Sequence, residues 1–416
     1  MSAGAASSER STTRLLAGLR SDGHAVTMAA HAQLWGPIPL ELRPDELRAR
    51  VAASGLTGRG GAGFPTAAKL ESVAGSRLRP VVLANGAEGE PPSGKDKALL
   101  AYVPQLVLDG ALLAARAVGA DRVVLATTST VHATVVRALA ERPRVKRISV
   151  EAAVVPDRFV TGEETALVHL LNGGPAVPTY TPPRPYERGI GDAPTVVLNV
   201  ETLAHLALVA RFGPGWFRAL GTAEEPGTAL VTLSGAVREP GVYEIELGSP
   251  LGRLLDQAGA DATAQACLVG GYFGTWISAA DARSVALSNA ALSRVGAALG
   301  ARAIVVLPQA SCGIVETARV ARYLSDESAG QCGPCVNGLA AIATSLEGLV
   351  RRPRATTNMD VLRRRLLQVA GRGACRHPDG AVTLVASALR VFSDELERHL
   401  RGRGCQRQGH PVLPVP

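Results

Sequence analysis

The chain has 416 residues, of which 46% are apolar, 19% charged and 4% aromatic, with a formal net charge of +8. That length exceeds one ordinary core and predicts two or three domains, while no run approaches the roughly 18 uninterrupted apolar residues of a membrane span. The 44 basic residues comprise four lysines and 40 arginines (44 − 4 = 40), dispersed among few aromatics and without a binding motif, which argues against a nucleic-acid partner.

Residues 1–40 read as a disordered leader, because Met1 to Arg20 is rich in Ser, Ala and Arg and has no apolar core of the secretory kind. Six cysteines without such a signal imply a reducing, cytoplasmic setting, where metal or redox use outranks disulfides. Pro44 through Ser54 predicts a helix, with proline first, Asp45 and Glu46 in the first turn, Leu47 and Val51 on one face and Gly55 as the stop.

Behind that helix runs Gly58-Arg59-Gly60-Gly61-Ala62-Gly63-Phe64-Pro65-Thr66, with Lys69 just beyond. Four glycines in six residues leave amide N–H groups bare to close on a phosphate or a flat ring, and Arg59 and Lys69 bracket them with positive charge. Gly58, Gly60 and Gly63 spell Gly-x-Gly-x-x-Gly, but the dinucleotide fold needs a strand before that pattern and a helix directly after it. Here a helix precedes it, and Phe64-Pro65 stops one from opening. The residues favour a nucleotide loop of another kind over a plain surface turn. Three of the four lysines, Lys69, Lys95 and Lys97, fall in or beside two glycine-rich loops, where a compact ammonium is useful.

From about residue 80 strands alternate with helices. Val81 to Ala84, Arg122 to Ala126, Arg147 to Val155 and Thr195 to Leu198 read as strands; Pro104 to Val118, Glu163 to Leu171 and Glu201 to Arg211 read as helices. The pattern predicts an α/β sandwich with a largely parallel sheet, in which ligands collect at the carboxyl ends of the strands. Two loops begin at such ends. One holds Asn85, Glu88, Glu90, Lys95 and Asp96; the other is Asn199-Val200-Glu201-Thr202. Asn and Thr there offer neutral hydrogen bonds to a ligand or simply cap a helix.

Residues 228–235 and 241–245 predict two strands joined by a turn at Arg238-Glu239-Pro240, followed by a helix over Pro250 to Ala258 and a strand at Leu268-Val269; this is a small β-grasp-like module read as scaffold. After Ile304 to Leu307 the remainder is helical, at about 314–324, 335–349, 357–370 and 381–400, which predicts a four-helix cap. Cys332-Gly333-Pro334-Cys335 heads one of those helices and Cys375 lies 40 positions further on. A thioredoxin-type dithiol would follow a strand, zinc would need four ligands, and an iron–sulfur cluster on Cys332, Cys335, Cys375 and a further ligand is the favoured reading.

These motifs, in this order, resemble the NADH-oxidising flavoprotein subunit of respiratory complex I and its relatives in NAD-linked hydrogenases and formate dehydrogenases. The resemblance rests on Ser54 to Thr66, Asn85 to Pro91 with Lys95-Asp96, Gly162 to Leu167, Asn199 to Ala204, and the cysteines. It implies domains over 41–222 (FMN and NADH), 223–310 (β-grasp-like) and 311–400 (iron–sulfur), then a tail over 401–416. It implies hydride transfer from NADH, or another small reductant, to FMN, and single electrons onward to the cluster. Gly58, Arg59, Gly60, Gly61, Ala62, Gly63, Phe64 and Lys69 would line the flavin and nucleotide cavity, with Phe64 stacking on a ring for ~0.5–1.5 kcal/mol beyond its burial. Asn85, Glu88, Glu163, Glu164, Asn199, Glu201 and Thr202 would meet flavin or nucleotide, Glu90 would act in catalysis, and Cys332, Cys335 and Cys375 would bind iron. Partners would be other subunits of a redox complex, among them an iron–sulfur protein, with any membrane reached only through them.

The departures from the family pattern fall at working positions. Ala329 stands where the first cysteine ligand belongs, leaving three thiolates for a three-iron cluster or a four-iron cluster completed by Ser328, Asp326, water or a displaced Cys312. Ala87, Leu198, Arg184, Leu70 and Phe159 replace the Asp, Asn, aromatic, Trp and Tyr that the pattern carries. A degenerate, non-catalytic assembly subunit is therefore the alternative to a redox enzyme.

Overall fold

Val81-Val82-Leu83-Ala84 has no polar side chain for either face, so a strand built from it must be covered on both sides. The computed structural model, which describes residues 13–19, 23–351, 359–401 and 409–416, places it in such a layer. Strands β1 (Val81–Gly86), β2 (Arg122–Thr127), β3 (Ser149–Val154) and β4 (Thr195–Asn199) form a parallel sheet in the order β3-β2-β1-β4. Asn85 pairs with Asn199 in register, so both expected loops leave the same sheet edge side by side.

One face of this sheet is covered by the helices Pro104–Val118 and Val200–Arg218, whose apolar side chains are almost wholly buried. Their close approach depends on Gly110, where an added Cβ would come within 1.9 Å of the Leu203 carbonyl oxygen. The helix Glu164–Leu171 covers part of the other face. The helix from Val200 runs past the expected stop at Arg211 and breaks at Gly213, where φ is +83° ahead of Pro214. Two helices in this region, Lys95–Tyr102 and Ser129–Ala140, have no counterpart in the sequence pattern.

The second sheet has the order β6-β5-β9-β7-β8, from β5 (Thr228–Gly235), β6 (Gly241–Glu246), β7 (Ala266–Val269), β8 (Thr275–Ser278) and β9 (Ala303–Leu307), with the helix Leu251–Gln257 packed on it. It is antiparallel apart from β5 with β9. Strand β8 escapes the sequence pattern because Thr275-Trp276-Ile277-Ser278 is only four residues long. The C-terminal region carries the helices Gly313–Asp326, Ala340–Arg351, Met359–Val369, His377–Val391 and Ser393–Leu400; the expected 381–400 helix is two, divided at Phe392.

The disordered leader is corrected over its described part. Leu15, His31 and Trp35 are buried, and the helix Met28–Trp35 is locked down by His31 Nε2, 2.7 Å from Asp109 Oδ2 on the Pro104–Val118 helix. Arg142 and Arg211 pair with the same carboxylate. Residues 1–12 and 20–22 of that leader, the start of the 357–370 helix and Cys405 lie outside the described residues. Among the described residues no single helix is long and apolar enough to cross a membrane.

Candidate functional site

Gly58 to Phe64 closes on itself as a short loop, with the Gly58 amide donating to the Phe64 carbonyl at 2.8 Å. Gly61 and Gly63 have φ of +119° and +63°, backbone that a side chain resists. Gly60 lies against the end of β4, where a Cβ would sit 3.3 Å from that of Asn199. Among the described residues, the amides of Gly60, Gly61, Ala62 and Gly63 have no hydrogen-bond partner. Gly60 and Ala62 are exposed, and Phe64 is 52% exposed beside them. The result is a short run of free N–H donors at the carboxyl end of a parallel sheet, a chemistry that fits the phosphate or ring of a flavin nucleotide.

What holds the loop in place is buried beneath it. Thr202 Oγ1 accepts the Arg59 amide at 2.8 Å, and Arg302 donates to the Arg59 carbonyl. The Arg59 side chain, 2% exposed, turns away from the cradle and donates to the carbonyls of Pro226 and Thr228, at 3.3 and 3.2 Å. Lys95 Nζ lies 2.7 Å from Asp96 Oδ1 and 3.0 Å from Glu201 Oε2; Glu201 Oε1 accepts the Leu230 amide, and Asn199 Nδ2 donates to Asp96 Oδ2 at 2.7 Å. Burial alone would raise the Glu201 carboxyl, but Lys95, Arg302, His205 and Arg59 hold it at about 2. Burial outweighs Lys95 at Asp96 and lifts that carboxyl to about 6, and burial with Arg59 drops His205 to about 3, so its ring is neutral. The network ties the two sheets together directly under the cradle.

This placement changes several expected roles. Arg59 and Glu201 contribute from below, as supports rather than lining. Glu88 is buried, accepting Ser93 Oγ at 2.5 Å and the amides of Asp96 and Lys97 at 3.2 and 2.9 Å, so it caps the Lys95–Tyr102 helix instead of facing a ligand. Glu163 likewise caps Glu164–Leu171 through the amides of Thr165 and Ala166. Lys69 is half-buried, paired with Glu164 at 3.1 Å and donating to the Val197 carbonyl. Asn85 donates to the Gly162 carbonyl and Asn199 caps the Val200–Arg218 helix, so the neutral amides first order the loops. Leu70 and Leu198, two of the departures, are buried in the core and do not reach the cradle.

Glu90 reaches across to the second sheet, where its Oε1 accepts the Tyr272 amide at 2.6 Å against Gly271, whose missing Cβ would fall 2.8 Å from that carboxyl. Enclosure of the carboxyl pushes its pKa to about 8 despite that donor, with Glu88 adding to the rise. The sequence carries no signal for Tyr272, nor for Arg302, one arginine among 40.

The cysteines meet in the helical region. Cys335 sits in a π-helical turn, Pro334–Leu339, a geometry frequent at functional sites. Burial would raise the Cys332 thiol, yet donation from the amides of Ala374 and Cys335, and from the Cys335 thiol, lowers it. Burial pushes Cys335 up to about 12, with Cys332 and Cys375 close enough to add to the rise; the Gly330 amide donates to it. Cys375 is raised by burial, receives the His377 amide and feels Glu163 at the edge of the first sheet's layer. Amide donors on every sulfur suit an iron–sulfur centre. Among the described residues no group of three or more His, Cys, Asp or Glu could hold a single metal ion. Cys332, Cys335 and Cys375 lie close enough to influence one another, and Ala329 stands where the family pattern has its first cysteine, so a four-cysteine set is not present. Phe159 packs beside the helical region, its ring 4.7 Å from Phe273 and 5.4 Å from His377.

Comparison with known proteins agrees with this layout. Residues 51–208 match the Nuo51 FMN-binding domain, 230–261 the SLBB domain and 316–399 the NADH-ubiquinone oxidoreductase-F iron-sulfur binding region. The F subunit of NADH-quinone oxidoreductase in Streptomyces coelicolor is 31% identical over 386 residues, covering 88% of this chain and 85% of that one. The corresponding F subunit in Mycobacterium tuberculosis is 31% identical over 387 residues, covering 88% and 87%. A crystal structure of an NAD+-reducing [NiFe]-hydrogenase in the air-oxidised state superposes with a TM-score of 0.81 at 31% identity, covering 90% of this chain and 66% of the hydrogenase chain. The chain therefore belongs to the family of NADH-quinone oxidoreductase F subunits, with that family's flavin-binding and iron–sulfur-binding regions in order.

Proposed function

We propose that this chain is itself a working electron-input subunit, taking hydride from NADH or another small two-electron donor at an FMN in the glycine cradle. The observation that carries this reading is the run of free amides from Gly60 to Gly63, open to solvent and anchored from beneath by Thr202, Arg302 and the Lys95–Glu201 pair. FMN supplies the step a cluster cannot take, accepting two electrons together and releasing them singly.

The chain's residues do the rest. The Gly60–Gly63 amides bind the anionic or ring portion of the nucleotide. Asn199, fixed by Asp96, fills the wall behind Gly60. Phe64 offers an exposed ring for stacking, and Lys69, oriented by Glu164, brings a partly exposed ammonium near the loop. Glu90, neutral at pH 7, presents a hydrogen-bond donor without adding negative charge near a hydride acceptor. Electrons would leave toward the Cys332, Cys335 and Cys375 site and on to a partner subunit, an iron–sulfur protein of the same complex.

Ala329 favours a second reading, a non-catalytic assembly subunit. Flavin retention separates them: the whole chain should keep about one flavin per molecule through gel filtration, and Gly61→Trp, which fills the cradle, should lose it while remaining folded. A wild-type chain that keeps none supports the assembly role.

A further inference from the structure

We propose that the cysteine site holds an iron–sulfur cluster by three thiolates only, its fourth corner, at Ala329, taken by a small non-protein ligand such as water or a low-molecular-weight thiol. The inference rests on the electron-transfer reading above and concerns what that reading leaves open.

Most side chains that might replace the missing cysteine have a place elsewhere: Glu163 caps Glu164–Leu171 and Asp379 accepts the Gly371 amide, which leaves Ser328, next to Ala329, to be tested by substitution. Cys312 is buried with its Sγ 3.4 Å from His399 Nε2. It precedes the 14-residue helix Gly313–Asp326, whose length puts it roughly 20 Å from the loop that follows. Glu327 accepts the Phe159 amide at 3.0 Å and pairs with Arg158 at 3.4 Å. His377 has its Nε2 2.6 Å from the Leu324 carbonyl, with its ring edge-on to Phe159 and Phe273. Asp326 is exposed at the end of its helix. Around Ala329, Gly330, Gln331 and Gly333 are all exposed, and Gly330 has φ of +64°, turning the chain so that its amide serves Cys335. Three cysteine sulfurs with their amide donors are thus in place, and the residues that follow Ala329 are open to solvent.

An iron without a protein thiolate is the one lost on oxidation. A [4Fe–4S]2+ cluster then gives [3Fe–4S]+, one ferrous ion and one electron, with ferricyanide as the one-electron acceptor. The test uses the whole chain, reconstituted without oxygen from ferrous iron and sulfide, with iron, sulfide and flavin counted per chain before and after stoichiometric ferricyanide. Wild type should fall from about four to about three irons and show the EPR signal of an oxidised three-iron cluster, while Ala329→Cys keeps about four and lacks that signal. Before oxidation, 2-mercaptoethanol should change the EPR spectrum of reduced wild type and leave Ala329→Cys unaltered.

Wild type that keeps about four irons through oxidation and ignores the added thiol would overturn the inference, because the chain must then supply a fourth ligand; Ser328→Ala and His377→Phe would identify it. A flavin-bound wild type that takes up no iron overturns it as well, leaving the flavin chemistry standing. Loss of both flavin and iron removes the reading on which the inference rests.

Discussion

The Lys95 ammonium lies 3.0 Å from the Glu201 carboxylate, with only 3% and 0% of the two side chains exposed. Lys95 is one of four lysines in a chain with 40 arginines, and it is placed where a compact charge must fit between two carboxylates. Lys95→Met should cost about 3–5 kcal/mol by removing the cation in direct contact with the buried Glu201 and Asp96 carboxylates, read by urea denaturation. Adding Glu201→Gln should recover part of the loss. Equal stability of the single variant and wild type would contradict a charge-paired support beneath the cradle.

Glu90 sets a different pH dependence. Its folded pKa of about 8 lies above the ordinary carboxyl value of 4.5, so the unfolded chain loses its proton first. This group's contribution to stability therefore falls as pH rises from 4.5 to about 8 and then levels. Glu90→Gln should remove that slope, seen as a smaller drop in Tm between about pH 6 and 8.5. An unchanged slope would place the titration elsewhere.

The opposite sign holds at Asp109. Burial would raise it, but His31, Arg142 and Arg211 hold it at about 2, below the ordinary 3.8. Its stabilisation is present above about pH 4 and is lost as pH falls toward 2, worth about 2 kcal/mol on the linkage relation. Asp109→Asn should destabilise the protein at pH 7 and expose Met28–Trp35 to limited proteolysis. Resistance of that helix in the variant would show that other contacts hold it.

Glu88 separates capping from ligand binding. Glu88→Ala removes an acceptor shared by Ser93 and two amides and should lower stability by about 1–2 kcal/mol. Flavin affinity in the folded variant should change little. A selective loss of flavin with unchanged stability would return Glu88 to the ligand.

Much of this was legible in the residues. The all-apolar run at Val81 to Ala84, the Pro44 start and Gly55 stop, and the glycine loop lie where the pattern put them. Local chemistry dictates those features, since bare amides and helix caps need no distant partner. The supports were not legible, because they depend on pairs far apart in the chain: Arg59 with Thr202 and Arg302, Glu90 with Tyr272, and His31 with Asp109. For the same reason Glu88 and Glu201 read as ligand-facing acids when one is a cap and the other a buried counter-charge. Leu70 and Leu198 look like damage to the cavity, and the structure puts both in the core.

Titration of the flavin-loaded whole chain with NADH in the absence of oxygen, followed by the visible flavin absorption, shows whether the cradle takes electrons from NADH. The flavin band should bleach with about one NADH per flavin and recover on addition of ferricyanide. A flavin that dithionite bleaches and NADH leaves oxidised would contradict NADH as the donor. A chain that holds no flavin to bleach would contradict the cradle itself.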